Sequence, residues 1–334
     1  MNRVGLYLSL LWLVVLASCG KPGTVTHSDG LNSSLNELST EAPGKVTEVP
    51  RSGEGELNIL LFGHSFGIDC TEELPALAAR AGISNLHIGR FIKGNCSLEE
   101  HYGFFLDNSN DKYAECLPGE VSFKSVPKTV REAVSQTRWH YVIFQNSLEN
   151  EGRYETAQPY LDDLVDFVRT TQAREFSKEP VIGWNMFWPI SKLLEDGSNS
   201  LCAYRLSFYD NSSEVMWNAY MSATRELMED TGIDFIIPSG TAVMNFRASS
   251  LNDENAKELT RDGYHMSYGG GRYLVACVWF EKILAPIYGV TVLGNTYRKS
   301  NTPVSVSDTK TATALQKMAI AAVENPFEIS VIDP

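Results

Sequence analysis

Five short apolar runs, separated by stretches with helical periodicity, constrain this chain more than any other feature. They are Asn58–Gly63, Leu86–Ile92, His140–Gln145, Pro180–Met186 and Asp234–Pro238. Each is too short for a buried helix and reads as a strand covered on both faces. Amphipathic patterns lie between them at Thr71–Ala81, Pro127–Gln136, Ala157–Ala173 and Ser213–Thr231, and a further strong helix is predicted over Gly270–Leu284. Strands alternating with helices predict an α/β fold, a three-layer α/β/α sandwich on a five-stranded parallel sheet. In such sheets reactive groups stand on the loops that leave the carboxyl ends of the strands. Two of these connections are long, Asp107–Val126 and Phe187–Ser212.

The N-terminal segment is of a different kind. Arg3 precedes an apolar run, Val4–Leu16, followed by Leu16-Ala17-Ser18-Cys19. A positive start, a short apolar core and small residues before a cut describe an export signal, and the run is too short to span a bilayer. Leu-Ala-Ser-Cys resembles a bacterial lipobox, which implies a signal over residues 1–18 and lipid on Cys19. Residues 19–56 are polar and rich in Ser, Thr, Gly, Pro and Glu, a composition that reads as a tether. The expected location is therefore outside the cytoplasm, with the membrane reached only through the lipid. Residues 57–334 suit one domain better than two, with a polar tail from about 295 and a helix from Ser307 to about Val323.

A net charge of −13 argues against nucleic acid or anionic lipid as partner. Six cysteines are present. With Cys19 set aside, Cys70, Cys96, Cys116, Cys202 and Cys277 could form up to two disulfides in an exported protein. Cys277 lies in an apolar helical stretch and reads as core. His87, His101 and His140 are scattered, so no metal site and no cofactor is expected.

The chemistry gathers at the two ends of the domain. Gly63-His64-Ser65-Phe66-Gly67 closes the first strand just before a helix. A serine on a tight strand-to-helix turn is held exposed at the sheet edge, beside backbone N–H donors that can stabilise an oxyanion. The pattern is Gly-x-Ser-x-Gly, the nucleophile elbow of α/β-hydrolases. That elbow follows several strands, whereas here only a signal and a tether precede it. At the far end, Arg261-Asp262-Gly263-Tyr264-His265 precedes the last strong helix. His265 can take the serine proton while Asp262 orients the imidazole. His64, beside the serine, is a rival base.

A Ser block directly after the first strand, with Asp-x-x-His before the last helix, resembles the SGNH (GDSL-like) hydrolase superfamily, in particular a branch of uncharacterised exported proteins. The resemblance covers most of Leu57–Leu284, and its first block departs from Gly-Asp-Ser in carrying His64. It implies the flavodoxin-like α/β/α sandwich and ester hydrolysis through an acyl-serine formed on Ser65, with Asp262 and His265. It also implies an oxyanion hole from the backbone N–H groups of Ser65 and Gly94 and a side-chain amide, Gln145 or alternatively Asn146. The expected substrate is a small-molecule or glycan ester, with deacetylation of a carbohydrate implied by the family. Two other readings stay open: a non-catalytic glycan-binding surface lipoprotein on the same fold, and a lipase or thioesterase. Among the aromatics around the fourth strand, Trp188 and Tyr204 could form a wall on which a sugar stacks.

Overall fold

The computed structural model describes residues 55–109, 112–253, 255–299 and 308–332. The export signal, Cys19 and nearly all of the tether lie outside the described residues.

The five apolar runs are strands: β1 Leu57–Gly63, β2 Leu86–Ile92, β5 Tyr141–Phe144, β6 Val181–Asn185 and β7 Phe235–Ile237. Every residue of β1, β5, β6 and β7 is buried, which explains why they read as unbroken apolar runs without alternation. Two further strands come from the connection Asp107–Val126: β3 Tyr113–Cys116 and β4 Lys124–Ser125. The sheet is therefore seven-stranded and mixed, in the order β4-β3-β2-β1-β5-β6-β7, with β3 antiparallel to β2 and β4 antiparallel to β3. This corrects the expectation of five parallel strands. The added pair has no apolar run because it forms an edge: Glu115 lies opposite Lys124, and β4 is exposed. Charged, short edge strands protect a sheet from pairing with other chains.

The helices are α1 Ser65–Thr71, α2 Leu74–Arg80, α3 Leu98–Asp107, α4 Val130–Gln136, α5 Tyr160–Phe176, α6 Ser200–Leu206, α7 Ser213–Asp230, α8 Ser239–Arg247, α9 Gly270–Trp279, α10 Ala285–Tyr288 and α11 Thr309–Glu324. A π-helical turn, Phe280–Leu284, joins α9 to α10. Ser97 with Glu100 and Thr129 with Glu132 form capping boxes that start α3 and α4. Helices α1, α2, α8, α9 and α11 pack together, and α3, α4 and α5 form a second group. Right-handed crossovers put these groups on opposite faces, because the chain steps one way from β1 to β2 and the other way from β2 to β5, β6 and β7. Helix α11 buries Ala312, Leu315, Met318, Ala319 and Ala322 against α8 and α9, so the segment expected as a tail completes the core.

The parallel strands run in the order β2-β1-β5-β6-β7, the doubly wound order in which a crevice opens between the first strand and the one where the winding reverses. That crevice lies at the carboxyl ends of β1 and β5, where Ser65 and Gln145 follow their strands.

The five cysteines of the described residues are all free and buried. Among these residues the disulfides allowed by sequence do not form, and Cys277 is a core residue.

Candidate active site

Ser65 is the first residue of α1, two residues beyond the end of β1. His64 is the N-cap, in an extended conformation, and its Nδ1 accepts the Phe66 N–H at 3.3 Å. The His64 carbonyl accepts the Gly67 N–H at 2.8 Å. The imidazole thus does the work that Asp or Asn does at an ordinary N-cap. The ring is fully buried and meets Phe187 edge-on at 5.1 Å. Burial pushes its pKa down to about 3, against a contribution upward from the Asn146 backbone. A base so placed stays neutral and turned into the core. The ring nitrogen hydrogen-bonded to Ser65 Oγ belongs to His265, while that of His64 caps the helix.

His265 Nε2 lies 2.8 Å from Ser65 Oγ, and His265 Nδ1 lies 2.6 Å from Asp262 Oδ2. An ionised carboxylate can only accept, so Nδ1 carries the proton and Nε2 is free to accept from the serine. Asp262 is held in turn by the backbone N–H groups of His265 and Tyr264, which donate to its Oδ1 at 2.8 and 3.2 Å. Burial works upward on the Asp262 pKa, but the His265 hydrogen bonds outweigh it and the carboxyl sits below its ordinary value.

The loop bearing these two residues is tight. Thr260 and Met266 pair across its base, and Gly263 at its tip has φ +90°. A Cβ at Gly263 would stand 2.2 Å from Leu194 Cδ1, so glycine is required for both space and backbone. The Gly263 carbonyl accepts the Ser191 N–H at 2.7 Å, which ties the loop to the long connection after β6.

Asp69 went unnoticed in the sequence. It lies on α1 four residues after Ser65 and is fully buried. Its carboxylate accepts from Arg261 Nη1 at 3.1 and 3.3 Å, from Arg272 Nε at 2.8 Å and from the Met266 N–H at 2.9 Å. The nucleophile's helix and the base's loop are joined through this one group. An acidic residue on the buried face of a short apolar helix was the available signal, since such a charge needs partners.

The expected oxyanion donors fare unequally. Gly94 lies exposed in the turn after β2, whose last residue Ile92 pairs with Gly63. Asn95 beside it has φ +50° and pins this turn to the loop after β5, donating to both Glu149 oxygens at 2.9 Å and accepting the Leu148 N–H at 3.2 Å. Gln145 does reach the nucleophile turn, yet from beneath. Its side chain is fully buried, a Cβ at Gly63 would stand 2.8 Å from its Cδ, and its Oε1 accepts from Asn185 Nδ2 at 3.1 Å. Asn146 is also buried: Oδ1 accepts from Leu98 N–H and Ser147 N–H, and Nδ2 donates to Thr156 Oγ1. Asn146 therefore supports backbone, whereas Gln145 pairs with the Asn185 side chain and leaves its buried Nε2 without a partner among the described residues; neither amide is exposed in this conformation.

Trp188 is fully buried, stacked on Phe66 at 4.4 Å, and donates from Nε1 to the Tyr264 carbonyl at 2.7 Å. It props the catalytic loop and offers no face to a sugar, contrary to the sequence reading. Tyr204 does lie open, 59% exposed, with its ring edge-on to that of Phe208 at 5.3 Å. Its helix α6 adjoins the catalytic loop through Arg205, whose guanidinium lies 5.6 Å from the Tyr264 ring. Among the described residues no group of three or more His, Cys, Asp or Glu could hold a metal ion, and no helix is long and apolar enough to cross a membrane.

A serine hydroxyl, an imidazole and a carboxylate in sequence, at the carboxyl edge of an α/β sheet, have the arrangement of a Ser–His–Asp triad. The chain belongs to the DUF4886 family, a domain of unknown function, whose model matches residues 58–320. The crystal structure of a DUF4886 family protein from Bacteroides uniformis ATCC 8492 is similar at 28% identity and a TM-score of 0.69, over 82% of this chain and 97% of that one. A "putative SGNH hydrolase" from Slackia heliotrinireducens aligns at 17% identity and a TM-score of 0.44, over 68% of this chain and 99% of that one. No curated protein matches the chain.

Proposed function

We propose that the protein is an SGNH-type serine ester hydrolase acting outside the cytoplasm. One observation carries the reading: the unbroken relay from Ser65 Oγ through His265 to Asp262, at 2.8 and 2.6 Å. His265 removes the Ser65 proton as the oxygen attacks an acyl carbonyl, and Asp262 stabilises the imidazolium that results. The Ser65 N–H, first in its helix and so without an intrahelical acceptor, and the Gly94 N–H are the donors proposed for the oxyanion. His265 then protonates the leaving alcohol and activates the water that frees the acid.

For the substrate we propose a small acyl group, acetyl first, on a carbohydrate. The exposed Tyr204 and Phe208 beside the catalytic loop support a sugar-facing surface. A lipid on Cys19 and a tether from 19 to 56 would hold the domain at the membrane; release of the protein from the membrane on Cys19→Ser tests that part.

Turnover of p-nitrophenyl acetate and of acetylated glycans by the soluble domain tests the rest. Ser65→Ala and His265→Ala should each lower kcat by at least about 10³-fold, since triad members act as a unit. Turnover that survives Ser65→Ala removes the mechanism. A wild type inert on every ester offered would favour a glycan-binding role.

A further inference from the structure

We infer that Asp69 is a positioning residue that sets the distance between the nucleophile and its base; the inference rests on the triad assignment above. Ser65 and His265 lie on segments remote in sequence, and the hydrogen bond between them needs the two segments held to a fraction of an ångström. The covalent route from Ser65 to Asp69 is one turn of α1, so the Asp69 carboxylate moves with the nucleophile. That carboxylate accepts the N–H of Met266, the residue directly after His265, at 2.9 Å. It also accepts from Arg261, the residue directly before Asp262. Arg261 in turn donates from the same Nη1 to the Met266 carbonyl, so the base of the loop is gripped from both sides. Arg272 Nε, from the first turn of α9, donates to Asp69 Oδ1 at 2.8 Å and ties the helix that follows the loop to the same point.

The energetics favour a positioning role. Asp69 is wholly buried, and a buried carboxylate persists only when its partners replace water. Two guanidinium groups and one amide do so here, and all three belong to the catalytic loop or its flanks. The same carboxylate placed to stabilise the fold in general would have no need to collect its donors from residues 261, 266 and 272. The Ser65–His265 contact is thus one side of a closed ring: Ser65, one turn of helix to Asp69, across to Met266, and back through the chain to His265.

The test compares Asp69→Asn, Asp69→Glu and Arg261→Lys in the full domain. Asn keeps the shape but weakens acceptance from two cations; Glu keeps the charge but lengthens the arm. We expect kcat on p-nitrophenyl acetate to fall about 10²-fold in Asp69→Asn with KM within a few-fold of wild type, because misplacement of about 1 Å has that cost. Asp69→Glu and Arg261→Lys keep the charges but change the reach and the fork, so each should lower kcat by at least about 10-fold with KM little changed. A proton NMR signal from the His265 Nδ1–H, shifted downfield by its short bond to Asp262, should be present in wild type and change in Asp69→Asn at a temperature where circular dichroism shows both folded. Loss of thermal stability with kcat per folded molecule and the NMR signal unchanged would reduce Asp69 to a structural residue and overturn the inference. Should Asp69→Asn not fold, Asp69→Glu and Arg261→Lys decide by the same two readouts. Should the wild type turn over no ester, the functional proposal fails by itself, and the NMR signal still reports whether Asp69 positions His265.

Discussion

His64 shows how one side chain can carry two meanings until its surroundings are known. Beside a nucleophilic serine, an imidazole suggests a base. Buried, capping α1 and held neutral, it is a rigid peg for the turn. His64→Asn keeps a capping acceptor and should leave kcat within about 10-fold of wild type, whereas His265→Ala should not. Steady-state kinetics on one ester decide it, and a larger loss in His64→Asn would return His64 to the mechanism. Gln145 poses the opposite case. Its Oε1 accepts from Asn185 inside the core, so Gln145→Leu should cost about 1 kcal/mol of stability by leaving Asn185 Nδ2 only its weak contact with Cys70 Sγ. Chemical denaturation measures this. Ser65, Asp262 and His265 were legible in the sequence because their chemistry sits in short local patterns. Asp69 was not, since its nearest partner in sequence among those loop residues, Arg261, lies 192 positions away.

At the scale of elements, the five central strands were legible to within a residue or two because full burial writes itself as an apolar run. β3 and β4 were not, because an edge pair needs no such run, and the four residues Tyr-Ala-Glu-Cys are too few and too mixed to form one. The catalytic loop stands between these extremes. Its glycine was legible as a turn, but half of the requirement for it, the close approach of Leu194, comes from a distant connection. Gly263→Ala combines a left-handed backbone with a steric clash and should cost about 1–3 kcal/mol, with a fall in kcat as Asp262 and His265 shift. Thermal unfolding and kinetics would both register it. The double variant Gly263→Ala with Leu194→Ala separates the causes. It removes the clash and leaves the backbone strain, so recovery of activity should be partial. Complete recovery would mean that the φ of +90° is incidental to the site.

At the scale of the whole molecule, the sheet, the two helix groups and the catalytic edge depend on one another through buried neutral histidines. His64 supports the nucleophile turn, and His101 reaches from α3 to the Gly63 carbonyl at 3.1 Å. His140 Nδ1 accepts the Asn58 N–H at 3.0 Å at the opposite end of β1. Burial lowers all three, to about 3 for His64 and about 4 for His101 and His140. The consequence for stability has a definite sign. The unfolded chain takes up protons on these rings near pH 6.5, while the native protein refuses them until pH 4 or 3. Stability is therefore fully present above about pH 6.5, and falls as the pH drops towards 4, with His64 still contributing down to about 3. Each refused proton contributes about 1.4 kcal/mol per pH unit within that window. Denaturant unfolding at stepped pH between 7 and 4.5 should show stability falling as the pH drops, and His64→Asn should reduce the slope by about one proton. A flat profile over that range would mean that these rings reach solvent. The turn around Ser65 would then lack the rigid support on which the proposed chemistry depends.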